Sequence, residues 1–166
     1  MHSDSASALS DALLVREISI ADAEAAAQLS GELGYPVSAA EMRRRIEAAA
    51  SLKDHIVYVA CVRTTMVAWQ TVVAWPTVVA WIDVGIIHHL QTEPYGEIGG
   101  FVVSHEYRNR GIGQRLVAEA EKWVTDRGIK RMLVRSQIAR EAAHRFYLRE
   151  GYSRTKTSAV FSKDLQ

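Results

Sequence analysis

The clearest chemical signal in the chain is the run His105 to Gly113, HEYRNRGIG. It lies where a strand-like segment, Glu97 to Ser104 (EIGGFVVS), meets a helical pattern that begins near Gly111. Glycines at 111 and 113 let backbone N–H groups come close to a ligand, and a helix N-terminus adds partial positive charge. Arg108 and Arg110 supply charge-assisted contacts. Together these features suit a pyrophosphate. A dinucleotide fingerprint fails because Leu116 stands where its third glycine belongs, and a P-loop fails because no Gly-Lys-Ser/Thr follows.

The elements that must hold this loop can be read from periodicity. Leu13 to Ser19 forms a first strand, followed by an Ala-rich helix that Ser19 or Asp22 caps and that ends near Gly31 to Gly34. Ser38 and Glu41 make a Ser-x-x-Glu capping box for a second helix running to about Ala50. His55 to Val62 is a strand, Arg63 to Thr65 a turn, Asp83 to Ile87 a strand and His88 to Tyr95 a polar loop. Gly111 to Arg127 is a helix with Ile112, Leu116, Val117, Ala120 and Val124 along one stripe. Lys130 to Ser136 is a strand and Ala139 to Glu150 a helix closed by Gly151. Tyr152 to Thr155 and Ser158 to Ser162 read as short closing strands. Gly99 and Gly100 mark a bulge or close backbone approach within their strand.

Two motifs at the right separation, FVVSHEYRNRGIGQRLVAEAEKW and AREAAHRFYLREGY, resemble the GNAT N-acetyltransferase superfamily. The resemblance follows element order over about residues 12–164, and its specific motifs lie within 97–152. It implies an α/β (α+β) fold: a mixed, mostly antiparallel central sheet flanked by helices, with a splayed parallel pair of strands at the CoA site. It implies acetyl-CoA as co-substrate and no metal. Phe101, Val102 and Val103 correspond to the strand whose backbone pairs with the pantetheine arm. Arg108, Asn109, Arg110, Gly111, Ile112, Gly113 and Gln114 correspond to the pyrophosphate loop. Tyr147 matches the tyrosine that protonates the departing thiolate. Glu97 matches a position that in some members is the general base, directly or through water; the other reading is a solvated strand-end glutamate. Arg140 replaces a frequent asparagine and either contacts CoA phosphate or is a surface residue. Tyr35, in the loop between the first helices, falls where family members shape the acceptor pocket; His88 and His89 read as a loop pair near the substrate mouth or, more simply, as surface histidines. Adjacent residues on a strand point to opposite faces, so a metal shared by His88 and His89 is not expected.

Composition sets the remaining bounds. The chain has 166 residues, 48% of them apolar, with 20 Lys plus Arg against 19 acidic residues. That size fits one core, here a tail over 1–11 and a single N-acetyltransferase domain over 12–166. The charge balance argues against a nucleic-acid partner. One cysteine, Cys61, excludes an internal disulfide and reads as a small core residue. The opening residues lack the pattern of a secretory signal, and no apolar run reads as a membrane helix. A cytoplasmic location is the expectation. The expected activity is acetyl transfer to an amine of a small molecule or peptide. A non-catalytic acyl-CoA-binding or scaffold module is the alternative, and it needs neither Glu97 nor Tyr147.

One feature is unrelated to the loop. Thr65–Gln70, Thr71–Pro76 and Thr77–Ile82 are three copies of one hexapeptide, TMVAWQ, TVVAWP and TVVAWI. Six is even, so slipping by a copy preserves both strand faces and leaves the register weakly specified. Eighteen residues would extend about 60 Å, too far for one strand of this domain. The run is expected to fold back at Trp75-Pro76-Thr77 as an insertion near 65–82, and to pair with a second copy of the chain in a homodimer.

Overall fold

The computed structural model describes residues 13–68 and 71–165, with no side chains described across 64–75. The tail expected over 1–11 therefore lies outside the described residues, as do the side chains of the first two hexapeptide copies up to Trp75. The chain divides into two compact units, one ending at Arg135 and the other beginning at Ser136.

In the first unit five strands form one sheet in chain order: β1 (Leu13–Glu17), β2 (His55–Ala68), β3 (Thr71–His89), β4 (Thr92–Val103) and β5 (Met132–Val134). Neighbours run antiparallel until β4 and β5, which are parallel. Helix α1 (Ala23–Leu33) and α2 (Ala39–Ala50) connect β1 to β2, and α3 (Ile112–Thr125) connects β4 to β5. This is the mixed, mostly antiparallel α/β architecture that the sequence motifs imply.

Strand alternation separates two faces. Ile82, Val84 and Ile86 point to the face covered by α3, where a Cβ on Gly96 would lie 2.6 Å from Val124 Cγ2 and 2.8 Å from Met132 Sδ. Trp81 points to the other face, and its indole N–H donates to the Ala26 carbonyl of α1 at 3.3 Å. A Cβ on Gly100 would lie 2.7 Å from that indole ring. The two glycines thus let β4 lie tight against a helix stripe on one side and a tryptophan on the other.

The start of α1 is fixed by charge. Asp22, 7% exposed, accepts both guanidinium nitrogens of Arg16, at 2.7 and 2.8 Å, and the Ser19 backbone N–H at 2.7 Å. Burial alone would raise its carboxyl pKa, but Arg16 and Ser19 outweigh burial and hold it below the usual range. At α2 the expected capping box is half formed. Ser38 accepts the Glu41 N–H at 3.1 Å, while the Glu41 carboxylate turns to Arg44 and Arg45, one turn ahead.

Four local expectations are corrected. Arg63 to Thr65 is no turn but part of β2, paired with Pro76 to Ala74. The repeat does fold back on itself, but not at Trp75-Pro76-Thr77: pairing runs out to Ala68 opposite Thr71, and Pro76 lies inside β3 opposite Arg63. A proline lacks the ladder N–H, and this position is tolerable because β4 joins β3 only from Ala80 onward. His88 to Tyr95 is not a loop: β3 runs through His89, which pairs with Thr92 across Leu90–Gln91. The closing strands are absent, and residues 153–165 are exposed and irregular, with Phe161 92% exposed. Their few apolar residues give a strand nothing to bury, and an unpaired strand gains no ladder.

The second unit holds α4 (Glu141–Arg149). It ends at Gly151, whose φ of 89° is the left-handed value a glycine accommodates. Tyr147 is buried, with edge-on rings of Phe146 and Tyr152 at 5.3 and 5.5 Å.

An Asp22→Asn variant should lose about 2–3 kcal/mol of stability, since it leaves Arg16 without its counter-charge. Asp22 is held ionised, so its contribution is full above the unfolded carboxylate pKa and is lost as pH falls below about 4. Denaturant titrations at neutral and acid pH should show the wild-type and variant curves converging under acid.

Candidate active site

The β4–β5 pair is closed at one end only. Gly96, Glu97 and Ile98 pair with Met132, Leu133 and Val134, and there the pairing stops. On the other side the register with β3 jumps, from Ile98 opposite Val84 to Gly100 opposite Asp83, leaving Gly99 as the extra residue of a bulge. A bulge bends its strand. Phe101, Val102 and Val103 therefore continue β4 after β5 has ended, still paired with Ile82, Trp81 and Ala80.

Ser104 ends the strand, and its N–H donates to the Val79 carbonyl at 2.8 Å. The chain then makes a short 3-10 turn, His105–Tyr107, and enters the glycine loop. Asn109 (φ 60°) and Gly111 (φ 78°) are both left-handed. Alternating left-handed residues turn successive N–H groups inward, an anion-binding concavity. Gly111 is the N-cap of α3, and the first turn of that helix carries no acidic residue. Arg108, Asn109, Arg110, Gly111 and Gln114 are exposed, whereas Ile112 is buried as an anchor for the loop. Arg108 Nε donates to the Val103 carbonyl at 3.1 Å, and the Arg110 guanidinium lies 5.1 Å from the centre of the Tyr107 ring.

Three contacts here had no signal in the sequence. Glu32, at the end of α1, accepts the His105 backbone N–H at 2.9 Å and the Ser104 hydroxyl at 3.3 Å. Burial pushes the Glu32 carboxyl up, but His105 and Ser104 prevail and its pKa is lowered. Arg135, one residue past β5, donates to Glu97 Oε2 at 3.1 Å. On the same face of the sheet, His55 Nε2 and Asp83 Oδ1 are 2.7 Å apart.

The other predicted residues are placed as follows. Tyr35 is exposed in the connection between α1 and α2, where the Ser30 hydroxyl donates to its carbonyl at 2.6 Å. His88 is an exposed strand residue 3.5 Å from Asp54, and His89 lies 6.0 Å from Tyr95 ring to ring, so the two imidazoles take different neighbours. No group of three or more metal-ligating side chains occurs among the described residues. Within the second unit Arg140 precedes α4, and burial pushes the Tyr147 phenol up to about 12, with Arg140 opposing slightly. Cys61 is buried, and burial raises its thiol pKa. No described helix is long and apolar enough to cross a membrane.

Residues 29–152 match the model of the Acetyltransferase (GNAT) family. The chain belongs to that family. An aminoalkylphosphonate N-acetyltransferase from Salmonella typhimurium is 39% identical over 69 residues, 42% of this chain and 44% of the relative. The chain thus aligns with less than half of that curated relative. Among solved structures, the aminoglycoside N-acetyltransferase AAC(6')-Iy in complex with CoA superposes with a TM-score of 0.74 at 15% identity, covering 92% of this chain and 95% of that one. Glucosamine-6-phosphate N-acetyltransferase from Arabidopsis thaliana gives 0.69 at 19% identity over 92% and 99%. At these identities the likeness concerns the fold. As a GNAT chain, this protein has the parallel pair, the bulge and the glycine loop in the order its motifs imply.

Replacing Glu32 with alanine should free the His105 amide. Losing a charged acceptor costs about 1.5 kcal/mol or more, so that amide should exchange with deuterium at least about tenfold faster. Amides in the middle of α3 should be unchanged.

Proposed function

We propose that this GNAT protein transfers an acetyl group from acetyl-CoA to the amine of a small molecule by direct attack. The observation that carries the reading is the sequence of events along β4: β5 stops pairing at Ile98, Gly99 bulges, and the strand leads into a loop with two left-handed residues at a helix N-terminus. Phe101, Val102 and Val103 would pair with the pantetheine amides, and residues 108–114 would hold the pyrophosphate. Arg140 is the further candidate for a CoA phosphate, and Tyr35 and His88 for acceptor contacts.

The chemistry follows from charge. At neutral pH only about one primary amine in 10³ is neutral, a deficit of about 4–5 kcal/mol. Glu97 takes one proton from the ammonium through Oε1, directly or through water, while Arg135 holds Oε2. The freed nitrogen forms the C–N bond, a backbone N–H of β4 stabilises the oxyanion, and the C–S bond breaks with its electron pair on sulfur. The second nitrogen proton ends on that sulfur. Tyr147 stays protonated throughout the working range. Full transfer from a phenol at about 12 to a thiolate at about 8.5 would be uphill by about 5 kcal/mol. Tyr147 is therefore assigned a hydrogen bond to the developing thiolate, with the net proton arriving as the bond breaks.

The relatives are described as acting on an aminoalkylphosphonate, an aminoglycoside and an amino-sugar phosphate. Small amines that carry several polar or charged groups are the acceptors to screen. Calorimetry with acetyl-CoA and with an analogue truncated at the pyrophosphate tests the cradle: binding should collapse for the analogue. Equal binding of the two would remove residues 108–114 from the cofactor site. Tyr147→Phe should keep acetyl-CoA affinity within about threefold and lose about 10²-fold in kcat. An unchanged kcat would remove Tyr147 from the chemistry, whereas acetyl-CoA binding without turnover of any amine by the wild type would favour the acyl-CoA-binding module.

We also assign a homodimer to the repeat. Residues 63–68 and 71–76 pair with each other beyond the ends of β1 and β4, and Thr65–Ile82 contains no charged residue to oppose association. Deleting Thr65–Pro76 leaves Arg63-Thr64 to join Val62 to its partner Thr77. This variant should sediment as a monomer where the wild type sediments as a dimer.

A further inference from the structure

Asp83 stands in the middle of β3, the only charged residue between Arg63 and Glu93. Aspartate is among the poorest strand formers. A part-buried polar pair in a sheet, charged or neutral, gains little over a well-packed apolar pair of the same volume. Its presence here has no evident structural return.

Its surroundings point to a use. Asp83 Oδ1 is 2.7 Å from His55 Nε2, with the His55 side chain 20% and the Asp83 side chain 38% exposed. Among the described residues His55 Nδ1 is buried without a hydrogen-bond partner, and Asp83 is the ring's one hydrogen-bonding contact. The ring serves to orient the carboxylate. Asp83 also lies against the bulge: a Cβ on Gly99 would be 3.5 Å from Oδ1 and 3.8 Å from Oδ2. Gly99 is where β4 passes the end of its pairing with β5. Glu97 shares this face, opposite Gly85, which in turn pairs with His55. Gly85, opposite Glu97, and Gly99, beside Asp83, carry no side chains on this face.

We propose that Asp83, oriented by His55, binds the ammonium of the acceptor beside Glu97 and gives the enzyme its preference for cationic amines. This rests on the transferase reading of the same site. Asp83 holds the nitrogen through Oδ2 and takes no proton; Glu97 does that. Arg135 on Glu97 and His55 on Asp83 each leave one carboxylate oxygen for the acceptor.

The test compares spermidine, a cation, with aniline, whose nitrogen is uncharged at neutral pH. Asp83→Asn should raise KM for spermidine about tenfold or more, leave kcat within about threefold and leave aniline unchanged. Asp83→Glu should recover part of the loss. His55→Leu should raise the same KM, and His55→Gln, which keeps a donor, should restore it. Equal effects on both amines, or none, overturn the assignment. A second measurement needs no turnover: n-propylammonium titrated into the CoA complex should shift the His55 ring nitrogens in the wild type and not in Asp83→Asn. No shift in the wild type overturns the proposal. A shift without turnover of any amine keeps Asp83 as the ammonium site and removes the transferase reading.

Discussion

Two parallel strands that begin as partners and then part leave backbone donors and acceptors that must find something else to bind. In this protein that constraint governs the unit ending at Arg135. The pair β4–β5 is held for three residues and then released by one inserted glycine. Everything around the release point is shaped to permit it. Gly96 allows α3 to press on the closed end, Gly100 makes room for the Trp81 ring past the bulge, and Trp81 ties that stretch to α1. Glu32 then fixes the point where the chain leaves the strand for the glycine loop. Rigid support on both faces of β4 lets an open edge persist in a folded sheet.

The ion pairs divide by what they leave over. Asp22 is saturated: two guanidinium nitrogens and two groups of Ser19 use its oxygens, and it is nearly sealed from water. Such a carboxylate anchors structure. Glu97 and Asp83 each have one partner on one oxygen, Arg135 and His55 respectively, and remain partly exposed. They are oriented but not used up, the condition for meeting a ligand without rearranging. Tyr147 stands at the other limit, so deeply desolvated that it keeps its proton at any working pH.

The loop and its helix were legible in the sequence because their signals are local: two glycines, two arginines and a stripe of period 3.6. The bulge was legible because Gly99-Gly100 interrupts a strand of β-branched residues. Partners distant in the chain were not. Arg135 meets Glu97 across 38 positions and Glu32 meets His105 across 73, through a register that no local pattern encodes. Asp83 did carry a sign, a charge inside an apolar strand, but its meaning depends on His55 from another strand. The turns were misplaced for a related reason. Pro76 reads as a breaker by itself, yet pairing with Arg63 beyond the edge of β4 lets it sit inside a strand. The closing strands failed because period-2 patterning says nothing about whether a ladder partner is present.

The paired ribbon built from the hexapeptide has a length that can change only in steps. Val62 opposite Thr77 fixes both arms at the core, and pairing runs out to Ala68 opposite Thr71. One more copy would lengthen each arm by three residues, keep the parity of every core pair, and bring Val-Val to the reversal, a poor turn. Two more copies would lengthen each arm by six residues, roughly 20 Å. Removing two copies would bring Arg63-Thr64 there, the dipeptide that reads as a turn when the sequence is taken locally. The reach of this protein beyond its sheet is in that sense quantised, and its copy number can change without moving a residue of the β4–β5 opening.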